Sequence, residues 1–484
     1  MLADYYSRSA LAAAQVLEGF DPVRFRAHLE ATTVGLSVRS LDGEAGALAD
    51  LAVRLLARLY PSLEIRGPGE LAALARAINP NIDIVDGAKH GIVVGDGDPF
   101  EESVFAGSDG WVARVRSDAP MATCDSSNPV GAGAAACLAT AAIFRRVFLD
   151  VPTESVVFDA YGGRFQIGES NPSLPARLNG DAVLAGAGAI GNGALWALAR
   201  VPVAGVVHVV DHEDVELSNL QRYVLANRED EGAVKVDLAA RDSVQLELNG
   251  YRANLGAFLA EHDYRWPTMM LGLDSARDRV AAQASLPEFI INAWTQPGDL
   301  GISAHSTFGG DGACVSCLYL PAGRNRNEDE LVAETLGIPH QLMDVRTLLH
   351  TGGPVQRPML EAIAQGIGRP LDVVLPFEGR SVRELYVEGF CGGAVIPLGQ
   401  AGRPVADVHV PLAHQSALAG ILLAGALLRE AIDGPPAITT VTRLNVLDGA
   451  GADVTQPARA ARNGRCICDD ADFCKVYEDK YRRS

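Results

Sequence analysis

Lysine is nearly missing from this chain. Of its 41 Lys and Arg residues only four are Lys, at positions 89, 235, 475 and 480, and 60 Asp and Glu residues leave a formal net charge of −19. Gripping a phosphate backbone takes a basic surface, so this balance argues against a nucleic-acid partner. No secretory leader is expected either: the N-terminal stretch carries Asp4 and Glu18 and has no basic segment ahead of an apolar one. Long hydrophobic runs are lacking too. The most apolar stretches, around 131–143 and 416–428, read as too short to span a bilayer and are closed by Arg or Glu. The expectation is a cytoplasmic protein with no membrane partner. Eight Cys in 484 residues do not suggest a disulfide scaffold, so their spacing is read as metal or catalytic chemistry. What is present is ordinary for a globular protein, 48% hydrophobic and 21% charged, with length for two or three domains.

The chain is organised around residues 181–235. Ala182 to Ala185 is a short apolar run that predicts a buried parallel strand. Gly186, Gly188 and Gly191 follow in the spacing G-x-G-x-x-G, then an Ala- and Leu-rich helical stretch, then a second apolar run, Val206 to Val210, ending at Asp211. That pattern predicts a βαβ unit with a glycine turn at its first strand-to-helix junction. Glycines let backbone turn tightly and approach a phosphate, and the helix start offers free N–H groups and a positive dipole end. An acid after the second strand can accept from a ribose hydroxyl. The run DHEDVELSNLQRY, followed by Lys235, exceeds what a dinucleotide site needs. Asn219 and Gln221 can hydrogen-bond ribose or phosphate, and Arg222 and Lys235 supply positive charge where pyrophosphate leaves. After Lys235 a helix to Asn249 is expected, and then a further apolar strand, Met269 to Leu273, that ends at Asp274. A carboxylate there suits Mg2+ held against ATP phosphates, and equally the N-cap of a helix over ARDRVAAQAS.

These residues together resemble the ATP-dependent adenylating family that includes ubiquitin-activating enzymes and the molybdopterin- and thiamine-pathway enzymes that activate sulfur-carrier proteins. The resemblance is carried by Gly186, Gly188, Gly191, Asp211, Glu213, Asn219, Arg222, Lys235 and Asp274, with Glu213 standing where the family usually has Asp. It covers about residues 180–320 well and thins out towards 470. It implies a doubly wound, mostly parallel α/β sheet that binds ATP and Mg2+ at its carboxyl edge. The C-terminal glycine carboxylate of a ubiquitin-like protein would attack the α-phosphate, with Asp274 holding magnesium, Arg222 and Lys235 offsetting charge and Asn219 orienting the nucleotide. In GFCGGAVIP, Cys391 with Pro397 six positions on resembles the family's catalytic stretch, although Gly392 replaces the usual Thr. That thiol would take the acyl group as a thioester and pass it to a conjugating enzyme. A small buried core Cys is the alternative.

A tetrahedral zinc site needs four converging ligands. Cys314-x-x-Cys317 offers two, and the tail NGRCICDDADFC offers Cys466, Cys468 and Cys474. The expected structural Zn2+ set is Cys314, Cys317, Cys466 and Cys468, with Cys474 a substitute for either of the last two. The family often spaces its second pair Cys-x-x-Cys, whereas here it is Cys-x-Cys.

The domain plan implied is 1–175 as an inactive adenylation-like α/β domain, 176–321 as the active core, 322–400 as an insertion with the catalytic cysteine, and 401–484 as closing helix, last strand (RLNVLD) and zinc tail. Helical periods run through 8–18 and 45–60, and Gly91 to Gly95 reads as a strand. NPVGAGAAACLATAAIFRRVF, 128–148, opens like a nucleotide-fold glycine turn, yet no acid, Arg and Lys cluster follows it. An unrelated α/β domain is the alternative. Ubiquitin-activating enzymes pair one inactive with one active copy, so a pseudodimer within the chain or a homodimer is expected. The family also brings an arginine from the partner half to the phosphates, for which Arg145, Arg146 and Arg177 are candidates. Other readings are sulfur-carrier activation, an NAD-dependent oxidoreductase that leaves Asn219, Arg222 and Lys235 unexplained, and a non-catalytic scaffold.

Overall fold

A computed structural model describes residues 2–165, 171–239, 241, 243–296, 299–306, 308–320, 328–386, 410–449, 451–462 and 464–481. The chain divides into two units, Met1–Leu320 with Pro411–Ser484, and Pro321–Val410.

The larger unit holds two eight-stranded sheets. The first contains β1 (Val34–Ser37), β2 (Ser62–Arg66), β3 (Asp83–Ile84), β4 (His90–Val94), β5 (Glu102–Asp109), β6 (Val112–Arg116), β7 (Val156–Asp159) and β8 (Arg164–Phe165), in the order 3-2-1-4-5-6-7-8. The second contains β9 (Ala182–Ala185), β10 (Val206–Val210), β11 (Glu247–Tyr251), β12 (Thr268–Leu271), β13 (Phe289–Gln296), β14 (Asp299–His305), β15 (Thr440–Asn445) and β16 (Ala452–Pro457), in the order 11-10-9-12-13-14-15-16. In each sheet the first five strands in that order run parallel and the remaining three are added antiparallel. Strand for strand, the second sheet repeats the first. The parallel part has the 3-2-1-4-5 winding whose ligands sit where the strand order reverses.

The helices of this unit are α1 (Tyr6–Ala14), α2 (Pro22–Ala31), α3 (Gly43–Leu59), α4 (Gly69–Ile78), α5 (Pro129–Leu149), α6 (Ala189–Leu198), α7 (Leu255–Glu261), α8 (Ala276–Ala284) and the short α9 (Val315–Leu318). The smaller unit has α10 (Glu328–Thr335), α11 (Leu342–Thr351), α12 (Arg357–Gly366) and α13 (Val382–Glu384), which enclose a core of their own around Leu336, Val345, Leu360, Ile363 and Leu385. The larger unit then resumes with α14 (Ala413–Asp433) and α15 (Ala471–Tyr481).

The second sheet is doubly wound. Ala182 and Leu184 face a core shared with α6 and α14, while Val183 and Ala185 face Phe258 and Leu259 of α7 and Ala282 of α8, as the period of two in a strand requires. The first sheet is covered differently. Its helices all pack on the shared-core side, and its other face carries a small cluster of Ala88, Val93, Phe100 and Phe105. Phe100 lies over Gly35 and Gly91, where an added Cβ would come within 2.3 and 2.2 Å of the ring.

Several expectations need correcting. The stretch 128–148 is a helix, but its glycines do not form a turn. Asn128 caps α5 by accepting from Val130 N–H, and Gly131 and Gly133 lie inside the helix. Gly133 makes room for Trp196 and Ile421, and Gly131 for the backbone of Gly110 to Val112. The helices α5 and α14 each have 21 residues, longer than their apolar runs and long enough to cross a membrane, yet 83% of an 18-residue apolar stretch in each is buried inside the protein. After Lys235 the chain makes a single 3-10 turn (Lys235–Leu238) and then β11, where a helix to Asn249 is expected. RLNVLD falls in and after β15, which is not the last strand, because β16 pairs beyond it.

Candidate nucleotide and metal sites

The glycine turn links β9 to α6 at the point where the strand order reverses. Gly186 has φ +94°, a conformation L side chains rarely adopt. Gly188 is the N-cap of α6. A Cβ on Gly191 would stand 2.2 Å from the Gly186 carbonyl oxygen, so only glycine lets this helix close on its strand. Asp211, after β10, accepts from Ala187 N–H at 2.8 Å and from Glu213 N–H at 2.9 Å, which ties the second strand's acid to the turn.

The charged residues gather beside that turn. Lys235 is 5% exposed and its ammonium contacts the Glu213 carboxylate. Burial alone would depress the Lys235 pKa, but Tyr223, Glu213 and Asp211 outweigh it and hold it above the ordinary value. The Lys235 hydrogen bond, in turn, holds Glu213 below the usual carboxylate range. Glu213 therefore reaches the lysine despite its extra methylene. Arg222 donates to Ser218 O at 3.4 Å, and burial lowers its pKa. Asn219 accepts from Glu216 N–H at 3.0 Å and so shapes the turn that carries it. Gln221 is buried and donates to Pro411 O at 3.3 Å, which anchors it to the segment before α14. Asp274 is exposed just past β12 and has no hydrogen bond among the described residues. It is not the helix cap: Ser275 caps α8 by accepting from Asp278 N–H. Its carboxylate acts electrostatically on Arg222 and Arg279. An exposed, uncommitted carboxylate at a parallel sheet's carboxyl edge is a donor Mg2+ accepts.

Two side chains here carry no signal in the motif. Tyr223 lies under the turn, its hydroxyl 3.6 Å from where a Gly188 Cβ would be. Its ring centroid is 5.4 Å from Lys235 Nζ and 5.7 Å from Arg222 Cζ. Asn192 is fully buried; it donates to Ala187 O and Gly188 O and accepts from Leu225 N–H.

None of the three arginines named for the partner half reaches this edge. Arg145 donates to Val446 O and Gly449 O, Arg146 pairs with Glu102, and Arg177 bridges to Ala204, at the start of β10 rather than its end. Arg8 on α1 is near enough that its charge depresses the Arg222 pKa.

The same edge of the first sheet is filled by its own chain. Asp125 Oδ1 lies 2.7 Å from a Cβ built on Gly43, at the start of α3. Glu44 is buried there and accepts from Ser108 Oγ and Gly110 N–H, each at 2.6 Å, while burial raises its pKa. Two carboxylates occupy the helix start where, in the second sheet, a phosphate would lie.

Four thiols converge away from the turn. The Sγ atoms of Cys314, Cys317, Cys466 and Cys468 all lie within 4.8 Å of one another, with recorded separations of 3.4 to 3.8 Å. Tetrahedral Zn–S bonds of about 2.3 Å would set sulfurs about 3.8 Å apart, so the set fits zinc. Cys474 stands outside it, with its thiol on Cys468 O at 3.5 Å, so it is not a substitute ligand. His305 shapes the loop entering Cys314 through Ala313 O at 2.7 Å, and burial pushes its pKa down to about 4. Cys391 lies outside the described residues.

Among proteins of known sequence, residues 176–257 match the ThiF family model and residues 39–149 match the model of Prokaryotic E2 family C. The uncharacterized protein y4jF of Sinorhizobium fredii is 40% identical over 512 aligned positions, covering 100% of this chain and 98% of its own length. Among solved structures, the microcin C7 biosynthetic enzyme MccB in complex with N-formylated MccA is 14% identical, covering 61% of this chain and 67% of that one, with TM-score 0.35. E. coli MccB with MccA-N7isoASN is 13% identical, covering 59% and 66%, also with TM-score 0.35.

Proposed function

We propose that this chain, which belongs to one family with y4jF and matches the ThiF family over residues 176–257, is a ubiquitin-activating-type adenylating enzyme that activates the C-terminal glycine of a ubiquitin-like protein. The observation that carries this reading is the gathering of Arg222, Lys235 and Asp274 beside the glycine turn, where a triphosphate rather than a dinucleotide needs them. A carboxylate oxygen of the modifier attacks the α-phosphorus of ATP. The new O–P bond forms as the bond to the bridging oxygen breaks, and pyrophosphate leaves with the electron pair. Lys235 and Arg222 face that developing charge, and Arg8 of the N-terminal half acts electrostatically on Arg222. Asp274 would hold Mg2+, which when bound offsets phosphate charge. The first sheet, with Asp125 and Glu44 at its helix start, is the inactive partner of a pseudodimer within the chain.

The second step sends the acyl group to a thiol. Cys391 attacks the acyl carbon, AMP leaves, and a thioester forms that a conjugating enzyme collects. The prokaryotic E2 match over 39–149 supports a conjugation pathway. Sulfur-carrier activation is the second reading, because the ThiF match over 176–257 covers the adenylation step that both share. The four-thiol cluster holds one structural zinc.

The test is ATP–pyrophosphate exchange dependent on a small β-grasp protein ending in glycine. Asp274→Ala is expected to abolish exchange in folded protein, and a wild-type rate would remove Asp274 from the mechanism. Cys391→Ala is expected to keep exchange and lose a reductant-sensitive adduct on a gel. No adduct in wild type would favour sulfur transfer.

A further inference from the structure

We infer that Arg58, on α3 of the N-terminal half, is a positioning residue that sets the nucleotide loop 218–227 of the second half. The inference rests on reading the second sheet as the nucleotide site. Residues 223–226 belong to neither helix nor strand, yet Tyr223, Val224 and Ala226 are at most 3% exposed. Buried backbone groups outside regular structure must find partners elsewhere. Here side chains provide them. The Arg58 guanidinium donates to Tyr223 O and Ala226 O, and also to Arg54 O at 3.1 Å. Arg54 donates to Val224 O at 3.0 Å, and Asn192 accepts from Leu225 N–H at 3.2 Å. Two arginines of the first half thus hold three carbonyls of the loop.

Arg58 is itself 1% exposed and makes no ion pair among the described residues, so its charge is spent on main-chain oxygens. Burial pulls its pKa down to about 10. A charge in so dry a place is costly unless its donors are used, and the ones recorded go to this loop and to its own helix. The consequence runs through Tyr223. The residue whose carbonyl Arg58 grips is the one whose ring lies beneath Gly188 and beside both Arg222 and Lys235. Releasing that carbonyl lets the ring and Arg222 move together. The N-terminal half therefore acts on nucleotide affinity through a contact 165 residues long in sequence.

The test uses the full chain with ATP titrated by calorimetry, and hydrogen exchange read over 219–227. Arg58→Met fills the space but offers no donor. It is expected to weaken ATP binding about tenfold or more, the usual loss when hydrogen bonds from a charged group are removed, and to speed exchange in that loop. Arg58→Lys should fall between, and it is read instead if the methionine variant does not fold. The control is Arg145→Met, which likewise takes a buried arginine of the first half off main-chain oxygens of the second, Val446 O and Gly449 O, without touching the loop. Its ATP affinity should stay within about twofold whatever its loss of melting temperature. Unchanged ATP affinity in folded Arg58 variants, or losses that follow melting temperature equally in Arg145→Met, would overturn the inference. Faster loop exchange with normal ATP binding would show that Arg58 shapes the loop without serving the nucleotide. Failure of the adenylation reading is separate: wild type would bind ATP, Arg58→Met would bind it worse, and no pyrophosphate exchange would appear.

Discussion

Lys235 shows how one residue can be both paired and available. Its ammonium is committed to Glu213 and stacked near Tyr223, and it is buried. Because its folded pKa is raised, the stability it contributes is fully present below the unfolded value of about 10.4 and is lost only as pH rises through the folded value. Glu213 is depressed, so its contribution is present above about 4.3 and lost as pH falls. Neither group titrates near neutrality. Lys235→Met is therefore expected to cut the exchange rate by about 10²–10³ while leaving the shape of the pH profile between about 6 and 9 unchanged. A limb in that range that vanishes with the substitution would contradict it. Much of this site can be read from sequence because its parts are local: the glycine turn, Asp211 and Lys235 follow within 50 residues of Gly186. Tyr223, Asn192 and Arg58 cannot be read so. What makes them matter is packing against a turn or a distant carbonyl, and an ordinary Tyr, Asn or Arg in a sequence carries no mark of that.

At the scale of elements, the same letters serve different ends. GAGAIG at 186–191 and GAGAAA at 131–136 look alike, yet the first turns the chain and the second lies within a helix. Close helix packing and close phosphate approach both demand the absence of a Cβ, so the glycines alone do not separate them. The strand before the turn does, since β9 is parallel and central whereas β6 is antiparallel. The cysteine cluster was more legible, because a short pair spacing and a Cys-rich tail are themselves the signal. The tail's arrangement adds a second anchor: on α15, Lys480 donates to Ser285 O and Leu286 O, and Tyr481 to Trp266 O. The thiols fix one end of the tail and this helix the other. Cys314→Ser is expected to lose the single zinc and lower the melting temperature, because binding energy at such a site is folding energy. Exchange by surviving enzyme should remain near wild type, since the thiols lie apart from the glycine turn. Elemental analysis that finds no zinc in wild-type protein prepared without chelator would sink the idea.

Across the whole molecule, the two sheets do not own separate interiors. Helices α3 and α5 from the first and α6 and α14 from the second contribute to one continuous hydrophobic core. The contact between α6 and α14 is backbone-close: a Cβ on Gly420 would stand 2.1 Å from Ile190 O, and one on Gly193 2.6 Å from Ala417 O. The α5 helix joins them through Gly133, which leaves room for Trp196 of α6 and Ile421 of α14. Elements of the two sheets that share side-chain contacts should open together, since exposing either surface strips the other of its cover. Gly420→Val is the sharp test. Inserting a branched side chain into a space with no slack costs about 1–3 kcal/mol or more, and the backbone oxygen it meets has little room to retreat. The expected outcome is a lower melting temperature and faster hydrogen exchange not only in α14 and β13 but equally in α3, α5 and β4 of the first sheet. Were the second sheet alone to loosen while β4 kept its protection, the halves would be independent folding units that merely touch, and the control exerted through Arg58 would have to be local to the loop.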